Sequence, residues 1–200
     1  MGVWFTADHH FGHSNIIGFC GRPFADSGAM DEALVLRWNE VVGPEDEVWH
    51  LGDFACRCDP HRMASLFDRL HGRRKHLITG QHDRRRTLQL PWTSARSYAE
   101  IVIDGTPVIL FHYALRDWSR NHHGAWNLHG HGHGRLPPVG RSCDVGVDAW
   151  EYRPISFKEI VAARASSDLR IDRPHADRPS AFDSSAVIGG LRGRRTYVDH

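Results

Sequence analysis

Cysteine is scarce: Cys20, Cys56, Cys58 and Cys143, four in 200 residues, are too few and too scattered for a disulfide framework. Cys56-Arg57-Cys58 has one residue too few between its thiols for a C-x-x-C motif. Reduced thiols are the expectation, and with no basic leader or cleavage site before the first strand the cytoplasm is the expected location. No apolar run approaches membrane-spanning length, so no membrane partner is expected. Charge of one sign is also missing. A formal net charge of +1 gives no global attraction to nucleic acid or membrane, and any affinity for a polyanion must be local. There is no internal repeat and no heptad pattern. What remains is the composition of an ordinary globule, 40% hydrophobic and 24% charged, with length for one domain and no room for a second catalytic module.

Residues 2–7 alternate in polarity and predict a first strand that runs into Asp8. Met30, Leu34, Trp38 and Val41 recur at helical spacing, and Gly43-Pro44 stops the amphipathic helix they define. Residues 47–51 predict a second strand ending at Gly52-Asp53. Asp59-Pro60 reads as an N-cap and a first helical residue, followed by the apolar stripe Met63, Leu66, Phe67 and Leu70. A third strand over 76–79 leads into Gly80, so this half is βαβαβ with parallel pairing. The second half is strand-rich: 98–103 and 107–111 flank the hairpin dipeptide Asp104-Gly105, and 126–129 and 143–147 supply two more short strands. A capping box, Ser156 to Glu159, opens a helix through Ala165. The globular domain is expected over 1–165. Residues 166–200, polar, Arg-rich and poor in large apolar side chains, are expected to be a disordered tail.

Sixteen histidines are an excess for this length. Those that carry the argument stand in short segments at strand exits: Asp8-His9-His10, Gly52-Asp53, Gly80-Gln81-His82-Asp83, His112, and His131-Gly132-His133. Strand ends would bring them to one sheet edge, where open α/β sheets bind their ligands. Imidazoles and carboxylates in this number suit a pair of divalent transition ions. Asp8 and His10 can face one ion, Asp53 can bridge it to a second, residue 81, His112 and His131 can complete the second, and His133 can return to the first.

D-x-H, G-D, G-x-H-D, a lone histidine and G-H-x-H in this order, over roughly residues 3–158, resemble the calcineurin-like metallophosphoesterases. The resemblance implies a four-layer α/β/β/α sandwich, two mixed sheets flanked by helices. It implies two divalent ions, manganese first and iron, zinc or nickel as alternatives. It makes Asp8, His10, Asp53 and His133 ligands of one ion and Asp53, Gln81, His112 and His131 ligands of the other, with His82 as general acid and a hydroxide between the ions as nucleophile. Asp83 follows as the group that orients His82 or holds its loop. One position departs: the family's G-N-H-D reads Gly80-Gln81-His82-Asp83 here, and the extra methylene of glutamine is expected to weaken the second ion or slow turnover.

His13, Arg22, Arg116 and Arg135 lie close to ligands in sequence and are candidates for holding substrate phosphate. Arg84-Arg85-Arg86 is a further basic run, read either as a phosphate contact or as a solvated face. The expected substrate is a phosphate ester, with nucleotide or nucleic acid open, and a phosphodiester favoured because so short a chain leaves the cleft uncapped. The rival reading is a catalytically weak family member that binds a phosphate ligand or a protein.

Overall fold

The computed structural model describes residues 1–137 and 139–171. Its first sheet has the order β4-β3-β2-β1-β9, with β1 (Val3–Thr6), β2 (Glu47–His50), β3 (Arg74–Ile78) and β4 (Ser94–Arg96) parallel and β9 (Ile155–Ser156) antiparallel to β1. The second has the order β5-β6-β7-β8, built from β5 (Tyr98–Ile103), β6 (Thr106–Phe111), β7 (Trp126–His129) and β8 (Ser142–Asp144). There β5 and β6 are antiparallel and the remaining pairs parallel, so both sheets are mixed. The architecture expected from the sequence, two mixed sheets flanked by helices, is the one observed.

The crossovers α1 (Ser14–Cys20), α2 (Ser27–Val41) and α3 (Pro60–Arg69) cover one face of the first sheet, and the short α4 (Arg85–Leu88) lies between β3 and β4. Met30, Leu34 and Trp38 of α2 meet Met63, Leu66 and Phe67 of α3 over Val48. Alternation along a strand turns the next residue to the opposite face. Phe5, Trp49 and Ile78 accordingly enter a second core with Val108, Leu110 and Leu128 of the facing sheet. Helix α5 (Phe157–Ile171) adds Phe157 and Ile160 to this inter-sheet core.

Local signals operate as expected. The Asp59 side chain accepts from the backbone N–H of His61 and Arg62, with Pro60 opening α3. Ser156 and Glu159 cap each other at 3.0 and 3.3 Å. Asp104 and Gly105, with φ of 48° and 77°, form the left-handed two-residue turn of the β5–β6 hairpin. Helix α5 runs on past Ala165, because no glycine or proline interrupts the chain there. The tail expected over 166–200 thus begins within a helix, and beyond Ile171 that expectation lies outside the described residues. Among the described residues no helix is long and apolar enough to cross a membrane.

Candidate dinuclear metal centre

Each expected segment leaves the end of a strand, and the two sheets bring those ends together. Ligand atoms of Asp8, His10 and His133 lie within 4.8 Å of one another, as do those of Asp53, His112 and His131, and those of His10, Asp53 and His82. Asp53 is the link: its Oδ2 stands 3.7 Å from His10 Nε2 and 3.4 Å from His112 Nε2. Buried polar atoms normally find hydrogen-bond partners. Here Asp8 Oδ1, Asp53 Oδ2, His112 Nε2 and both ring nitrogens of His10 have none, although all are buried. Oxygen and nitrogen lone pairs gathered in this way around a common space fit divalent cations.

The backbone is bent to produce this arrangement. Asp8, His10, Asp53, His131 and His133 all have positive φ, between 49° and 64°. That region disfavours residues with a Cβ and is populated mainly where the surroundings impose it, commonly at functional sites. The bends are held by Asp8 N–H to the Gly52 carbonyl (2.9 Å) and His10 N–H to the Asp53 carbonyl (3.0 Å). Gly52, at φ 96°, lets the second segment pass beneath His112: a Cβ there would lie 2.5 Å from His112 Nδ1.

Electrostatics follow from burial. Asp8, fully buried, has its carboxyl pushed well above the usual carboxylate range by desolvation. Desolvation also pulls His10 down to about 2. Burial opposes charge on Asp53 and on His112 as well, but their attraction across 3.4 Å outweighs it, holding Asp53 at about 2 and lifting His112 to about 9. Cations placed among these groups would reverse the penalty on the carboxylates.

Outer partners fix the rings. His112 Nδ1 donates to the Leu51 carbonyl at 2.7 Å, leaving Nε2 to face Asp53. His133 Nδ1 bonds Asp148 Oδ2 at 2.7 Å, and the Arg22 guanidinium grips the same carboxylate at 2.7 and 2.8 Å. Asp148 escaped the sequence reading. The available signal was a second acidic residue four after Asp144, in the loop that follows β8. Carboxylate–histidine–metal contacts of this kind typically matter ten- to a hundredfold in metal affinity. Asp148→Asn is therefore expected to weaken manganese binding by about that factor in a calorimetric titration of the folded variant. An unchanged affinity would remove the orienting role of Asp148.

Other expected residues divide. His82 lies beside the centre, its Nε2 3.9 Å from Asp53 Oδ2 and its backbone N–H on Asp53 Oδ1 at 2.8 Å. Asp83 does not orient that ring. Its carboxylate accepts the N–H groups of Asp53, Phe54 and Gly80, so it holds the two loops together, and the Cys56 thiol is what stands 3.7 Å from His82 Nδ1. Gln81 is exposed, its amide oxygen engaged by the Tyr113 hydroxyl at 3.1 Å. Arg22 is corrected: it is buried at 3% exposure, and besides Asp148 it donates to the Asp8 and His9 carbonyls, which leaves it no phosphate to reach. Its deep position under the first segment could not be seen in sequence distance alone. His13, at the start of α1 without a side-chain cap, has its ring 5.4 Å from that of His10. Arg116 lines a groove with Trp118 and Trp150, and the exposed Arg135 donates to the Phe19 carbonyl.

No protein-family model matches the chain. It is 30% identical over 167 residues to the uncharacterised protein MJ1445 of Methanocaldococcus jannaschii, covering 80% of this chain and 89% of that one. It is 32% identical over 181 residues to the gene 66 protein of Mycobacterium phage D29, covering 74% and 88%. The chain belongs to their family. The family's fold is seen in a solved structure of AQ665 from Aquifex aeolicus, a protein of unknown function, at 24% identity and a TM-score of 0.66 over 80% of this chain and 98% of that one. A looser likeness is to Yfce, a phosphoesterase from E. coli, at 19% identity and a TM-score of 0.39, covering 73% and 78%. The two mixed sheets, and the convergence of the ligand segments at one strand-end edge, are what the resemblance drawn from the sequence implies.

Proposed function

We propose that the protein is a metal-dependent phosphoesterase acting on phosphodiesters. The observation that supports it is the set of buried, partnerless lone pairs on Asp8, His10, Asp53 and His112 at one strand-end edge. Asp8, His10, Asp53 and His133 would hold one divalent ion, and Asp53, His112 and His131 the other, with Gln81 as its exposed neighbour. Two such ions, manganese in this proposal, would supply an acidified water and neutralise phosphate charge. The protein's part is placement. Asp53 joins the two half-sites, Asp148 and the Leu51 carbonyl fix ring orientation, and Asp83 clamps the loops that carry Asp53 and His82. In hydrolysis a water gives up a proton to solvent as its oxygen bonds to phosphorus, the phosphorus–oxygen bond to the leaving group breaks, and His82 gives its proton to the departing oxygen. A nucleotide or nucleic acid is the substrate class we favour, and the cytoplasm the place of action.

The test is hydrolysis of bis(p-nitrophenyl) phosphate by protein supplied with manganese. Turnover is expected to appear with metal and to fall about a hundred- to ten-thousandfold in His82→Ala, the span of a lost general acid. A metal-loaded protein that does not hydrolyse this diester supports the rival reading instead, a weak member that binds phosphate ligands, which the engagement of Gln81 by Tyr113 favours.

A further inference from the structure

Several arginines among the described residues are neutralised by a carboxylate. Arg22 pairs with Asp148, Arg62 with Asp31, Arg69 with Glu32, Arg74 with Glu47, and Arg153 with Glu159. Arg57, Arg84, Arg85 and Arg86 are all exposed, and among the described residues none of them forms an ion pair. They are gathered in one place. A hollow of about 390 Å³ is lined by Arg57, Arg84, Arg85, Arg86 and His82, and a second of about 490 Å³ by His13, Cys56, Arg57, Arg84 and His82. His82, Arg57 and Arg84 stand on both. Arg57 has a φ of 55°, in the left-handed region that residues other than glycine adopt infrequently.

We propose that these hollows bind a second phosphate on the leaving group, so that the substrate is a phosphodiester whose departing alcohol carries a further phosphate, as the next nucleotide of an oligonucleotide does. The inference rests on the phosphoesterase reading, because it uses His82 as the acid. The oxygen that takes the His82 proton must lie within hydrogen-bond reach of that ring. The rest of the leaving group then extends from His82 into the space that Arg57 and Arg84 flank. Unpaired guanidinium groups are suited to bidentate phosphate contacts. In the reaction water supplies the new oxygen on phosphorus and releases a proton to solvent, the leaving oxygen departs as an alcohol with the proton of His82, and the second phosphate is unchanged.

The experiment compares manganese-loaded protein on three thymidine dinucleotides: one with the internal phosphate alone, one also phosphorylated at the 5′ end, and one also phosphorylated at the 3′ end. One of the doubly phosphorylated forms is expected to have a kcat/KM ten- to a hundredfold above that of the plain dinucleotide, the size of one or two charge-assisted contacts. The double variant Arg57→Gln, Arg84→Gln should bring that ratio close to one. Arg73→Gln, an exposed charge paired with Glu45, should leave the ratio as it is. Equal rates on all three dinucleotides, or a preference that survives the double variant, overturns the second-phosphate site. Hydrolysis of bis(p-nitrophenyl) phosphate without hydrolysis of any dinucleotide also overturns it, and leaves the phosphoesterase reading standing. Failure on bis(p-nitrophenyl) phosphate itself overturns that reading, and this inference with it.

Discussion

Asp53→Asn is expected to abolish manganese-dependent turnover and manganese-dependent stabilisation together, in a variant that still folds. Asn keeps an oxygen for the His82 N–H that Oδ1 accepts at 2.8 Å, so the local backbone is preserved. It replaces Oδ2, buried and partnerless between His10, His82 and His112, by an NH₂ group that offers no lone pair. Both half-sites lose their common ligand. A loss of several kcal/mol of transition-state stabilisation corresponds to on the order of a thousandfold or more in rate. For the parent, manganese at a hundred times its Kd raises unfolding free energy by about 2.7 kcal/mol through binding to the folded state alone. A thermal melt with and without manganese reads this directly. The parent should shift upward and the variant should not, and a variant that shifts as far as the parent rules out Asp53 as the shared ligand.

Gly52→Ala is the second large effect, and it acts on stability as well as on the site. Gly52 has φ of 96°, and an added Cβ would meet His112 Nδ1 at 2.5 Å and the Gly80 backbone nitrogen at 2.7 Å. A left-handed alanine costs about 1–2 kcal/mol and overpacking about 1–3, so a loss of about 3 kcal/mol is expected in chemical denaturation. His112 cannot stay where it is, so its Nδ1 bond to the Leu51 carbonyl is lost and the second half-site opens. Gly18→Ala is the control. Gly18 lies inside α1 with no atom within 4 Å of its would-be Cβ, and alanine there should raise stability by up to about 1 kcal/mol. A Gly52→Ala protein as stable as Gly18→Ala would mean that the Gly52 loop can yield freely.

The sequence disclosed what depends on local chemistry. The cap at Asp59, the box at Ser156 and Glu159, the hairpin at Asp104-Gly105 and the strand exits at Asp8, Asp53, His112 and His131 were all legible, because each rests on a few neighbouring residues with one conformational preference. Strand β9, two residues long, has no periodicity to read and exists because it pairs with β1. Long-range partnership was hidden for the same reason. Asp148 and Arg22 are 126 positions apart, so nothing in the sequence shows that Arg22 supports the carboxylate behind His133 instead of meeting substrate. Asp83 stands next to His82 in sequence, yet its oxygens reach across to the Asp53 loop. Arg57 was passed over within a cysteine pair, and only the fold sets it beside Arg84.

The left-handed backbone at Asp8, His10, Asp53, His131 and His133 also bears on the order of assembly. Such conformations persist only where the surrounding structure over-determines them. The loops from both sheets must therefore be in place before the centre has its shape, and ions bound there would meet a scaffold already bent to receive them. They would reward completion of the fold without templating it, in contrast to small zinc modules, whose chain gathers around the metal.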